Sequence, residues 1–196
     1  MGSLRLALRE IKKIFAFLLL AFIIIGLVSS LTLVEYREFV EAMVDNFMSD
    51  KADILISEGW QLALELFNNN LQASVVAYAV GILPFLFLSS FTVMVNGALL
   101  GAVYVYLGGF ISPVGYIMSL LPHGIFEIPA FIISVSLGIK LCLELSRKLM
   151  RRDYLPLGPL IKRQLMTLLF IVVPLLIIAA YIEAFITPLI MEWLFF

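Results

Sequence analysis

Between Leu71 and Ile139 the chain carries one formal charge, Glu127, and one imidazole, His123. A hydrocarbon core about 30 Å thick takes only about 20 helical residues per crossing. The stretch is far too long for one crossing, so it must fold back on itself within an apolar medium. A separate uncharged run, Ile14 to Val34, is long enough for a crossing of its own. Composition closes the soluble alternatives. Apolar residues make up 63% and charged residues 14% of 196, with a mean hydropathy of +1.10. Soluble domains are nearer half apolar and a quarter charged, and a fold of this size cannot bury the excess. The same figures exclude disorder. The expected fold class is all-α: a polytopic helical bundle forming one integral membrane domain.

Charge placement supplies the topology. Arg5, Arg9, Lys12 and Lys13 precede the first run, and Lys140, Arg147, Lys148, Arg151, Arg152, Lys162 and Arg163 gather near the third quarter. Acids gather instead at Glu35, Glu38, Glu41, Asp45, Asp50, Asp53, Glu58 and Glu65. Basic loops stay cytoplasmic. This predicts five spans, at about 14–34, 71–92, 95–112, 122–145 and 165–190. The amino terminus is then cytoplasmic, the carboxyl terminus extracytoplasmic, and 146–163 a basic cytoplasmic loop in the plasma membrane. Residues 35–70 alternate acids with apolar side chains at spacings of three and four, predicting an amphipathic extracytoplasmic segment that ends at Asn68-Asn69-Asn70. Residues 111–121 are either a loop or a short re-entrant segment.

Three ionisable groups inside these spans are candidates for chemistry: His123, Glu127 and Glu183. Charge there is costly, so each needs a reason. His123 and Glu127 are four apart and share a helix face. Pro122 suits the first turn of a helix, and Pro129 frees the carbonyl of Ile125 and bends the chain. Glu183 falls at a similar depth, so the two carboxylates are expected to face one another near His123. In low dielectric such a pair does not readily carry two charges. The cluster can tie helices together, carry a proton or ion, hold a metal as a three-ligand set, or serve hydrolysis. The tie comes first. No metal site is assigned, because a second histidine is lacking. No catalytic residue or cofactor is assigned either: no nucleophile elbow or paired-aspartate signature is present. Asn96 is expected to cap a helix whose Gly97 and Gly101 form a face for close packing, more often within a chain than between two. Cys142, the single cysteine, reads as a buried inert thiol.

Together, Asn69-Asn70, Asn96-Gly-x-x-x-Gly101, Pro122-His-Gly-x-x-Glu127-Ile-Pro-Ala130 and Glu183-Ala-Phe-Ile-Thr-Pro188 resemble the stage II sporulation protein M family. The resemblance runs from the first span to Pro188, and its Pro-His-Gly-x-x-Glu form is that of the broad bacterial and archaeal branch. It implies a small membrane protein of about five spans. The family's namesake acts in spore formers as a scaffold for cell-wall-degrading partners, and the resemblance carries over no catalytic residues.

The function expected is that of a membrane scaffold or partner-recruiting component, with residues 35–70 as the docking surface for an extracytoplasmic protein. The alternative is a solute, ion or proton-coupled transporter built on His123, Glu127 and Glu183. An enzyme is not expected. The partners expected are membrane lipids, with a homo-oligomer plausible on size; the net charge of −1 offers nothing to nucleic acid.

Overall fold

A computed structural model describes residues 2–49, 57–108, 112–152 and 155–195. All regular structure among them is helical. Helix α1 (Gly2–Thr32) passes through a 3₁₀ turn, Leu33–Tyr36, into α2 (Arg37–Ser49). Helix α3 covers Gly59–Ala79, α4 Leu88–Leu107 and α5 Pro113–Leu149. The last element is a nearly continuous rod: α6 (Leu157–Thr167), a π-helical turn Leu168–Val172, α7 (Val173–Tyr181), a second π turn Ile182–Ile186, and α8 (Thr187–Phe195).

Four helical stretches among the described residues have the length and apolar character to cross a membrane: Leu4–Asn46, Leu88–Leu107, Pro113–Leu149 and Leu157–Glu192. The sequence reading drew a fifth over 71–92, and the helices fall differently. Pro84 ends α3: it offers no N–H to Val80, and the residue before it, Leu83, is extended. The chain then turns through Phe85 and Phe87, both at positive φ. Asn68-Asn69-Asn70, expected at a helix end, lies inside α3, because packing on both sides outweighs weak helix propensity. The amphipathic segment is likewise not one unit. Its first part prolongs α1 as α2, residues 59–70 belong to α3, and 50–56 lie outside the described residues.

Helix α5 forms the axis. At 37 residues it is about 56 Å long. Its start is set by Ser112, whose hydroxyl accepts from Gly115 N at 3.1 Å, with Pro113 in the first turn. Pro122 is therefore interior, as is Pro129, and residues 113–121 are helix rather than loop. Ala130, Ile132, Val135, Leu137 and Cys142 are all buried on this axis. The Cys142 thiol donates to Leu83 O at 3.3 Å.

Contacts around the axis fix the directions of the other helices. Leu18 and Phe22 of α1 pack with Val93 of α4, and farther along Val40 and Val44 of α2 pack with Ala102 and Val105. So α1–α2 and α4 run parallel. Helix α5 runs against them, because Ile11 joins Leu141 at its far end. Helix α3 runs with α5, Tyr78 meeting Leu137 and Leu141, and the last rod runs back, with Leu160 beside Leu141. Direction thus alternates along the chain: α1, α3, α4, α5, last rod. One end gathers the start of α1, the end of α5 and the start of α6, where Arg163 bridges Glu10 at 2.9 Å.

Two glycine crossings set the closest approaches. A Cβ on Gly101 would stand 2.6 Å from Gly26 O and from Ser29 Cβ. One on Gly81 would collide with the Gly138 carbonyl. The Gly97–Gly101 face is thus used within the chain, against α1. On the outer side of α1, Phe17, Leu27 and Leu31 are exposed, a surface suited to lipid rather than water.

Polar ties join the helices where sequence reading found none. Gln164, fully buried, accepts from Tyr78 OH at 3.1 Å and donates to Leu137 O at 3.0 Å, linking α3, α5 and α6. Glu144, also fully buried, accepts from Lys140, Arg147 and the Leu155 amide at 2.8–2.9 Å. That carboxylate folds the connection after α5 back onto its own helix.

Candidate functional site

A cavity of about 520 Å³ opens between α1, α3, α4, α5 and the last rod. Its apolar walls include Phe22, Leu100, Phe131 and Leu176. Its polar lining comes from Asn70 and Ser74 of α3, Asn96 of α4, Tyr116, Ser119, His123 and Glu127 of α5, and Glu183 and Thr187 of the last rod. Among the described residues, no lysine or arginine lines it.

The structure brings His123, Glu127 and Glu183 together: one ligand atom from each lies within 4.8 Å of the others. Their placement follows from prolines. Pro122 and Pro129 sit inside α5 on either side of the pair and leave the carbonyls of Met118 and Ile125 without their helical donors. On the last rod, Pro188 would clash with the carbonyl of Ala184 in a regular helix. The chain answers with the π turn Ile182–Ile186, which widens the ladder just ahead of the proline and carries Glu183. Pro174 stands in the same relation to the first π turn. Trp60 of α3 braces the second from outside, its ring 4.9 Å from Phe185 and 5.9 Å from Tyr181.

The surrounding groups orient the cluster. Asn70 of α3 stands beside Glu127 in the cavity lining. The Thr187 hydroxyl stands 3.5 Å from His123 Nδ1, so the ring is held from a different element than its own. Tyr116 donates to Leu100 O at 2.8 Å and lies against Tyr104, closing one side of the cavity. Ser74 Oγ is buried and has no hydrogen-bond partner among the described residues, although it lines the cavity.

Electrostatics make the cluster conspicuous. Two carboxylates within 4.8 Å repel by at least about 3.5 kcal/mol at an effective dielectric near 20 if both are charged. The ion pairs among the described residues, Arg37–Glu41, Lys140–Glu144, Arg147–Glu144 and Arg163–Glu10, all lie elsewhere. The counter-charge has to come from a proton or from a bound cation.

Asn96 corrects the sequence reading. It caps nothing: α4 begins at Leu88, so Asn96 lies two turns inside the helix, where its Nδ2 donates to Thr92 O at 2.8 Å. That shift moves it from the expected cytoplasmic end into the cavity. Asn70, Ser74 and Thr187 were not singled out for the site. The Asn70–Ser74 spacing of four, one polar face on an otherwise apolar helix end, is the signal that would have found the first two.

Fold and site together define a polytopic helical membrane protein with a polar pocket at the level of its apolar helices. The stage II sporulation protein M model matches residues 14–188, nearly the whole chain, and the protein belongs to that family. Its matches include two uncharacterized proteins of Methanocaldococcus jannaschii. MJ0793 is 39% identical over 75 residues, covering 38% of this chain and 42% of that one. MJ0706 is 29% identical over 134 residues, covering 65% of this chain and 58% of that one. The matched segments thus span about half the length of these relatives. No solved structure matches the chain.

Proposed function

We propose that this protein crosses the membrane five times and binds a small polar or charged solute in the cavity in order to move it across. Helix α3 is the fifth crossing. Its 21 residues reach about 31 Å, and Asn70 and Ser74 near its middle line the cavity. The alternating helix directions support that count. They also put the basic residues of the described chain, Arg37 apart, at or toward one end, which is then cytoplasmic, with the carboxyl terminus on the other side. The observation that carries the reading is the cavity itself. A simple tie between helices would be dry and mutually bonded, whereas this cluster borders about 520 Å³ of space. Intramembrane ionisable groups facing such a space mark solute pathways.

Reconstitution into liposomes tests it. Flux of protons, alkali cations and divalent cations is followed with entrapped dyes for the wild type and for Glu127→Gln. Transport by the wild type and its loss in a folded variant is the expected result. A folded wild type that passes none of these, or a variant that passes them equally, removes the transport reading.

A second reading, a scaffold, rests on α2 and the turn before it. There Glu35, Tyr36, Glu38 and Phe39 are all exposed, giving a mixed acidic and aromatic face. Retention of a partner from native membranes, lost with Tyr36→Ala/Phe39→Ala, is the result that would favour it.

A further inference from the structure

We propose that the cavity binds a divalent transition-metal ion, with the His123 imidazole and the Glu127 and Glu183 carboxylates as its protein ligands. This rests on the cavity reading above and names its substrate class.

Charge is the first argument. Two carboxylates face a space that no lysine or arginine lines among the described residues, so a doubly positive ion balances them where a neutral solute would not. Ligand chemistry is the second. Calcium and magnesium take oxygen sets, whereas an imidazole among carboxylates suits zinc, cobalt, iron and manganese. Geometry is the third. Ligand atoms around a tetrahedral ion at about 2.1 Å lie about 3.4 Å apart. The cluster starts within 4.8 Å, so glutamate rotations of about 1–1.5 Å at the tips close it. The ligands come from two independent elements, α5 and the π turn, which lets the set tighten without bending either.

The neighbouring groups fit the same assignment. Thr187 beside His123 Nδ1 and Asn70 beside Glu127 are polar neighbours of the kind that orient metal ligands. Ser74 Oγ, buried and without a hydrogen-bond partner among the described residues, adds a polar atom beside the same cavity. The cavity volume leaves room for several waters, as expected of an ion that keeps an open coordination position and is not locked in place.

The test is a binding measurement on the full chain in lipid nanodiscs, stripped with chelator and titrated with Co²⁺ while visible absorption is recorded. Saturable binding of one equivalent is expected, displaced by Zn²⁺ and not by excess Mg²⁺. His123→Ala, Glu127→Gln and Glu183→Gln should each weaken it by at least about tenfold, and the double glutamine variant should abolish it. Thermal unfolding with and without Zn²⁺ monitors the fold: the wild type should be raised by metal and the double variant should not. Where a glutamine variant fails to fold, Glu127→Asp and Glu183→Asp retain the ligand type, and each should alter the Co²⁺ spectrum. A folded wild type without saturable binding, a double variant that binds as well as the wild type, or displacement by Mg²⁺ at Zn²⁺ concentrations overturns the assignment. Metal bound without flux would leave the site standing and sink the transport reading. Flux of another solute without metal binding would do the reverse.

Discussion

Adding one methyl group at Gly101 should separate two helices that a methyl group at Gly26 leaves undisturbed. The two glycines face each other across the α1–α4 seam, yet their surroundings differ. A Cβ on Gly101 would stand 2.6 Å from Gly26 O and 2.7 Å from Ser30 N, against an ordinary contact of 3.4 Å or more. Both obstacles are backbone of α1, or next to it, so relief requires the helices to part by about 0.8 Å. A Cβ on Gly26 would find its nearest neighbours at 3.5 Å. Replacing glycine by alanine inside a helix gains about 1 kcal/mol of propensity at either place. Overpacking of this kind costs about 1–3 kcal/mol, and backbone obstacles put it at the upper end. Gly101→Ala should therefore lose about 2 kcal/mol net, and Gly26→Ala should be neutral or gain up to about 1 kcal/mol. On the scale for chains of this length, 2 kcal/mol lowers Tm by about 4–8 °C. Thermal unfolding of both variants in one detergent, read by tryptophan fluorescence and size exclusion, measures the difference. Equal stability of the two, or a larger loss at Gly26, would refute the reasoning. A Gly101→Ala protein with unchanged Tm but altered oligomeric state would place this face between copies instead.

Three further outcomes follow from the ties described above. Gln164→Leu strands the Tyr78 hydroxyl and should cost about 1–2 kcal/mol, with Tyr78→Phe restoring part of it in a double-mutant cycle. Glu144→Gln weakens the grip on the Leu155 amide and leaves Lys140 and Arg147 without their anion, so trypsin should cut faster at Arg151 and Arg152 than in the wild type; equal rates would contradict the role given to Glu144. Ser74→Ala removes a hydroxyl that has no partner, so its Tm should hold or rise slightly; a fall of several degrees would show that Ser74 is engaged in the fold.

The sequence carried the membrane class and the trio His123, Glu127 and Glu183 because both rest on local rules: run length against bilayer thickness, and the cost of charge in hydrocarbon. It misplaced boundaries wherever a local signal competed with a neighbour's packing. Asn68-Asn69-Asn70 reads as a stop, yet α5 and the last rod hold α3 helical through it. Pro122 reads as a start, but Ser112 with Pro113 provides a better one nine residues earlier. Asn96 was assigned to a helix end for the same reason, since the true break at Pro84 moves the start of α4 back by nearly two turns and leaves Asn96 in its interior. Gln164 was invisible because its partners are a distant hydroxyl and a backbone carbonyl, which no spacing rule encodes. Lys140 and Arg147 stand at helical spacing from Glu144, but its bond to the Leu155 amide, which folds the chain back, follows no such rule.

The turn at Ile182–Ile186 holds one residue more than an α-helical turn would need. The wider turn absorbs that extra residue, so the helix beyond it keeps nearly the register of an unbroken α-helix. Deleting one residue there, other than Glu183, would return the turn to α-helical winding and leave Thr187 on the face of His123. Pro188 would then meet the carbonyl four residues before it, the clash that the π turn relieves. The surplus residue is thus what lets a proline stand one turn from the pocket without breaking the rod.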